Sequence, residues 1–303
     1  MPDRIGFIGL GVMGAPMARN LRKAFTRVTV FDRDPARLSA FPPEQFGIAG
    51  CAGDVAERSD TVVLSLPGSA VVESVVTGPE GIAGRLASGS AVIDTSTTEP
   101  AVSRRLAGAL RERGIGFLDA PVSGGEKAAV EGTLSFMAGG DEDVFESCKP
   151  VLQAMGASVV RVGGSGAGSV AKLVNNLIVG AEFAAIAEGF ALAVRSGLDA
   201  GVLYEAIRGG WAQSKVLDVS AQAFLNRDFR PGGSVDIHWN DLGYALSVAK
   251  DADVPTPVTA IVHEVFKAAR AGGKGKLAQP AVVLLWEELL GLRVGGKDDE
   301  QGA

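Results

Sequence analysis

Up to about residue 162 the chain alternates short apolar, β-branched runs with stretches of helical period. Segments 4–10, 28–32, 61–66, 91–94, 116–118, 134–138 and 159–162 read as strands. Segments 15–25, 70–76 and 101–113 place apolar residues three and four apart and read as amphipathic helices. Strands alternating with helices predict βαβ units and a mostly parallel, doubly wound sheet.

After Gly163-Gly164-Ser165-Gly166, a turn-rich joint, the strand signals stop. A long helix is expected over 167–195, then helices over 200–208, 221–225, 235–250, 258–271 and 279–290. The fold class is therefore α/β: a doubly wound sheet domain over 1–163, followed by an all-α domain over 164–294 and joined to it by the long helix. The polar tail 295–303 has no apolar anchor and is expected to be disordered. The apolar run 173–194 approaches the length of a membrane span, but Asn175, Asn176, Glu182 and Glu188 interrupt it. It reads as a buried helix.

Composition narrows the function. Hydrophobic residues make up 47 % and charged residues 21 % of 303, an ordinary globular balance. A net charge of −6 argues against nucleic acid or an anionic membrane as partner. Cys51 and Cys148 could form at most one bridge; without a secretory pattern at the start, the cytoplasm is the expected compartment. Those cysteines and His238 and His263 stand at no zinc-ligand spacing, so no metal is expected.

Gly9-Leu10-Gly11-Val12-Met13-Gly14 follows the first apolar run and opens the first helix. A turn without a ligand could use the same glycines, but strand, glycine turn and helix in that order favour the Rossmann dinucleotide site. Gly9 permits the turn, Gly11 lets the backbone approach a pyrophosphate, and Gly14 lets helix and sheet pack closely. Asp32 ends the second strand, where a carboxylate accepts from the adenosine ribose hydroxyls and repels a 2′-phosphate. Arg33 follows it and could instead bind that phosphate. NAD is favoured, with NADP the alternative.

Lys172 precedes Asn176 by one helical turn, so the ammonium and the carboxamide share a face. On most helices such a pair is solvated surface; behind a nucleotide-binding domain it suggests an oxidoreductase. The run Gly6 to Leu21 resembles that of the β-hydroxyacid dehydrogenase family, which includes 3-hydroxyisobutyrate dehydrogenase and tartronate semialdehyde reductase. Ile93-Asp94-Thr95-Ser96-Thr97-Thr98-Glu99-Pro100, Asp119-Ala120-Pro121-Val122-Ser123-Gly124-Gly125 and Gly168 to Asn176 are similar to three further family blocks. Within the family, Tyr204 to Gly210, Val216 to Asp218 and Asn226 to Pro231 look most like tartronate semialdehyde reductases.

The resemblance implies reversible hydride transfer between NAD(P) and a short hydroxy acid or its semialdehyde, with Lys172 as general acid and base. It implies that Ser123, Gly124 and Gly125 bind the substrate carboxylate, which suits an anion-binding turn, and that Asn176 orients the substrate. Leu10, Val12, Met13, Leu66, Pro67 and Thr97 join Gly9, Gly11, Gly14, Asp32 and Arg33 on the cofactor side. Asn240 is counted with them, although relatives carry Lys-Asp-Leu where this chain has Asn240-Asp241-Leu242. That change keeps a donor and removes a charge, implying weaker cofactor binding, an altered substrate, or a role for His238, itself expected on a helix surface or interface. The partners implied are a small carboxylate substrate and, through the broad apolar surface of 167–195, further copies in a homodimer or homotetramer. The rival readings are an imine reductase, which generally lacks the lysine and the Ser-Gly-Gly turn, and a silent nucleotide-binding scaffold.

Overall fold

The computed structural model describes residues 4–230 and 232–296, so the expected disordered tail lies, from 297 onward, outside the described residues. The chain divides into two compact units, Met1–Lys172 and Leu173–Ala303, with the boundary inside one continuous helix.

The first unit begins β1 (Arg4–Ile8), α1 (Gly14–Ala24), β2 (Arg27–Phe31), α2 (Pro35–Leu38), β3 (Gly47–Ile48), α3 (Ala52–Glu57), β4 (Thr61–Leu64) and α4 (Ser69–Thr77). It continues through β5 (Ala91–Asp94), α5 (Pro100–Arg111), β6 (Gly116–Asp119), β7 (Val122–Ser123), α6 (Gly125–Glu131), β8 (Leu134–Gly140), α7 (Glu142–Gln153) and β9 (Gly156–Gly163), and ends in the first turns of α8 (Ala167–Arg195). Six strands run parallel in the order β3-β2-β1-β4-β5-β6. The start of β8 pairs antiparallel with β7 and its end with β6, while β9 lies parallel on its other side.

Alternation along each strand fills two cores. Phe7, Val63, Ile93 and Leu118 enter one layer with Met17 and Leu21 of α1, while Ile8, Val62, Val92 and Phe117 enter the other with Leu106 and Leu110 of α5. Both faces are covered, which is why the strands read as nearly continuous apolar runs. The short strands β3 and β7 were not anticipated, because two residues carry no period. Nor were α2, α3, α6 and α7. The thiols of Cys51 (exposed) and Cys148 (buried) are both free, so they form no bridge.

The second unit is helical: the rest of α8, then α9 (Ala200–Ile207), α10 (Lys215–Asn226), α11 (Val235–Asp251), α12 (Pro257–Ala269) and α13 (Val283–Leu290). Asp199, Ser214 and Ser234 cap α9, α10 and α11, their side chains accepting from Val202, Leu217 and Ile237 N–H. The Ser214 cap starts α10 at Lys215 rather than 221. A π turn over Arg270–Lys274, with Gly273 at φ +78°, ends α12, and a 3₁₀ turn over Gln279–Val282 precedes α13. Phe190, Phe224, Leu242, Phe266 and Val282 form the buried core of this unit.

Helix α8 is less buried than expected. Phe183, Ala187 and Phe190 face that core, but Val174, Ile178 and Leu192 are 46, 51 and 68 % exposed. Its apolar surface is broader than one neighbouring layer covers. By length and composition alone α8 could cross a bilayer, with a mean hydropathy of 1.9 over a window that is 39 % buried. A soluble protein's core helix satisfies the same measure.

Candidate active site

The C-terminal ends of β1, β4 and β5 lie side by side, where the strand order reverses and open α/β sheets bind ligands. At the end of β1, Gly9 has φ +97°, and a Cβ on it would lie 2.2 Å from the carbonyl oxygen of Ser65. A Cβ on Gly14 would lie 1.9 Å from the Gly9 carbonyl oxygen, so the helix starts hard against the turn. Gly11 differs: an added Cβ would meet only Arg37 Nη1, at 3.6 Å. Protein packing therefore does not explain Gly11, and the open cradle over it fits a pyrophosphate. α1 has no side-chain cap and no acid in its first turn, leaving its positive end for an anion. Leu10 is buried, Met13 packs against the core, and Val12 is exposed.

Asp32 is buried and already engaged. Its Oδ2 accepts the Leu10 N–H at 2.6 Å and its Oδ1 accepts the Asp34 N–H at 2.9 Å. The third contact comes from Arg37 Nη1, at 3.3 Å, and not from Arg33, which is exposed. α2 delivers that arginine: Asp34 caps it by accepting from Ala36 N–H at 3.0 Å, and Pro35 begins it. Arg37 also stands 3.6 Å from Asp34. Sequence reasoning missed this arginine, though Asp34-Pro35 at a helix start was its signal.

On the neighbouring strand ends, Leu66 N–H donates to Ser96 Oγ at 2.8 Å, linking the β4 and β5 loops. Leu66 and Thr97 are half-buried and Pro67 is exposed. Ser123 ends β7, half-buried, opposite Ser135 of β8. Gly124, at φ +133°, turns the chain into α6, and its Cβ would meet that of Ala128 at 2.6 Å. Gly125, at φ +71°, has open space around it. The turn thus accounts for both glycines, and leaves the backbone at Gly125 approachable.

Lys172 and Asn176 lie on α8, separated by about 6 Å of rise. Lys172 is half-buried and Asn176 is 6 % exposed. Within the second unit, Asn176 Nδ2 donates to Asp241 Oδ2 at 2.6 Å, and Asn175 Nδ2 donates to Asn176 Oδ1 at 2.9 Å. Asn240, beside Asp241 on α11, is exposed. His238 is not a surface residue: it is 1 % exposed, its ring lies 4.8 Å from that of Phe266, and its Nδ1 is 3.3 Å from Gln279 Nε2. The helical period turns it into the core with Leu242, not onto the surface or interface expected for it.

Two family models match the chain. Residues 4–164 match the NAD binding domain of 6-phosphogluconate dehydrogenase, and residues 166–286 the NAD-binding domain of NADP-dependent 3-hydroxyisobutyrate dehydrogenase. The chain is 38 % identical over 296 residues to 2-(hydroxymethyl)glutarate dehydrogenase of Eubacterium barkeri, covering 97 % of this chain and 98 % of that one. It is 37 % identical over 280 residues to 2-hydroxy-3-oxopropionate reductase of Escherichia coli K12, covering 92 % and 96 %. Among solved structures, Mycobacterium tuberculosis 3-hydroxyisobutyrate dehydrogenase with L-serine superposes with a TM-score of 0.86 at 32 % identity, covering 94 % of this chain and 99 % of that one.

Proposed function

The chain belongs to the β-hydroxyacid dehydrogenase family of NAD(P)-dependent oxidoreductases, and we propose that within it Lys172 moves the proton in reduction of a short semialdehyde acid. The substrate we favour is tartronate semialdehyde, reduced to glycerate, with the 3-hydroxyisobutyrate pair as the nearest variant. One observation carries this reading: Lys172 and Asn176 stand one turn apart on α8, and Asp241 holds the Asn176 amide in a single direction.

When bound, the nicotinamide cofactor supplies the hydride to the carbonyl carbon, or accepts it in the reverse direction. Lys172 Nζ gives the carbonyl oxygen its proton during reduction and takes the hydroxyl proton during oxidation. The Ser123 hydroxyl and the backbone at Gly124 and Gly125 hold the substrate carboxylate. Asn176 orients the reacting oxygen. Asp32 takes the adenosine ribose hydroxyls, with Arg37 beside it, while Leu66, Pro67 and Thr97 line the nicotinamide side. Asn240 contributes a neutral donor where relatives have a cation. The exposed apolar positions of α8 support a homodimer or homotetramer, and the free thiols are compatible with a reducing cytoplasm.

The test is an initial-rate screen with NADH and NADPH against tartronate semialdehyde, methylmalonate semialdehyde, succinic semialdehyde and glyoxylate, paired with oxidation of glycerate, 3-hydroxyisobutyrate and serine. Highest kcat/KM for tartronate semialdehyde is expected. Turnover of none of them, with cofactor still bound, would favour the silent scaffold.

A further inference from the structure

Two carboxylates are enclosed in the first unit away from the glycine turn. Asp94 and Asp119 end the neighbouring strands β5 and β6, are paired in register, and are 1 % and 0 % exposed. Asp119 Oδ1 accepts the Gly166 N–H and its Oδ2 the Ser169 N–H, each at 2.8 Å. Gly166 is the residue before α8 and Ser169 its third. A helix is ordinarily capped by the side chain of the residue before it, and glycine has none. A strand residue supplies the cap instead.

The contact is tight enough to fix the helix. A Cβ on Gly168 would lie 2.1 Å from the Asp119 carbonyl oxygen, and one on Gly139 would lie 2.8 Å from Asp119 Oδ1. Three hydroxyls connect the two acids. Thr98 Oγ1 donates to Asp94 Oδ2 at 3.3 Å and lies 3.1 Å from Ser103 Oγ, which lies 2.9 Å from Ser169 Oγ. Asp94 also accepts the Ser96 N–H at 3.0 Å.

Burial raises the carboxyl of Asp94 to about 7, with the charge of Asp119 adding to it. Burial raises Asp119 too, but its bonds from Gly166 and Ser169 oppose the rise. Backbone N–H groups of Gly166, Ser169 and Asp119 itself and the Ser169 hydroxyl meet Asp119, against one backbone donor and the Ser96 and Thr98 hydroxyls at Asp94. Of the two, Asp94 therefore takes up a proton first as pH falls. Arg104 of α5 also faces this turn, since a Cβ on Gly166 would meet its Nε at 3.0 Å.

We infer that Asp119 is the positioning residue for Lys172: its carboxylate pins the first turn of α8 to the sheet, and Lys172 follows Ser169 on the same rod. The inference rests on the role given to Lys172 above. A buried negative charge at the start of α8 also favours the protonated form of a lysine three residues further along.

The test compares Asp119→Asn, Lys172→Ala and Leu106→Ala, the last loosening the same layer without touching the network. Asp119→Asn is expected to lower kcat on the order of 10²-fold, the effect of displacing a reacting group by about an ångström. Its cofactor Kd should stay at the wild-type value, and the acidic limb of its oxidation profile, where Lys172 loses its proton, should move to lower pH. Leu106→Ala should lower the melting temperature while leaving kcat and the pH profile alone. A wild-type pH profile or wild-type kcat in Asp119→Asn, while Lys172→Ala is inactive, would overturn this inference alone. An active Lys172→Ala would overturn the proposed function with it.

Discussion

The Asn176 carboxamide donates to the buried carboxylate of Asp241 across 2.6 Å, and its oxygen accepts from Asn175 at 2.9 Å. Both ends of the amide are engaged, so its direction is set before any substrate arrives. Replacing Asp241 with Ala leaves a buried amide donor without that acceptor, at a cost of about 1–3 kcal/mol. Asp241→Ala should raise KM for the hydroxy acid by about tenfold or more while cofactor Kd stays unchanged, as read by steady-state kinetics and fluorescence titration. An equal loss of cofactor affinity would show that Asp241 serves the nucleotide instead.

Cofactor choice rests on Asp32 and Arg37. Asp32→Ala should weaken NADH more than NADPH, because it removes a ribose acceptor and a group that repels a 2′-phosphate. Arg37→Ala should do the reverse, weakening NADPH more. Wild-type preference for NADPH by about tenfold, or 1.4 kcal/mol, would mean that the guanidinium outweighs the carboxylate.

These two sites differ in how far the sequence reveals them. The parallel strands, the glycine turn and Asp32 were legible because apolar period and turn chemistry are local. So was the continuity of α8, since 167–195 carries no proline and its three glycines stand singly. Arg37 was not legible from period: α2 has four residues, and only its Asp34-Pro35 start announces it. Asp119 escaped notice as a cap because its partners lie 47 and 50 residues away. His238 was misplaced for a related reason: tertiary packing against Phe266 decides its environment, and no local pattern shows it.

Burial of Asp94 links stability to pH. Its carboxyl stands at about 7 in the folded protein against an ordinary 3.8. Between those values the folded state holds a proton that the unfolded state has released, so this group's contribution falls as pH rises through that window. Above about 7 the penalty is constant. The melting temperature of Asp94→Asn should therefore gain on wild type between pH 5 and pH 8. Asp228 and Asp236, both held below the usual carboxylate range by arginine partners, lose their contributions only at more acidic pH. A constant difference between the two proteins from pH 5 to 8 would contradict the burial argument.

The exposed residues Val174, Ile178 and Leu192 on α8 should be covered in solution by a second copy. Light scattering at micromolar concentration should give a dimer or tetramer, and Leu192→Arg should shift it toward monomer. A monomeric wild-type protein would contradict the assembly.

The role of Ser123 separates binding from chemistry. Ser123→Ala should raise KM for the carboxylate substrate with a smaller change in kcat, since the hydroxyl contacts the carboxylate rather than the reacting carbon. A fall in kcat with KM unchanged would place Ser123 at the reacting centre.

The most direct measurement is the turnover of Lys172→Ala on the best substrate of the screen, together with its cofactor Kd. Positioned proton transfer contributes about 10²–10⁴-fold, so kcat should fall by at least about 10²-fold while cofactor affinity is retained. If Lys172→Ala keeps most of the wild-type kcat, the proton travels by another route and the role assigned to Lys172 is wrong.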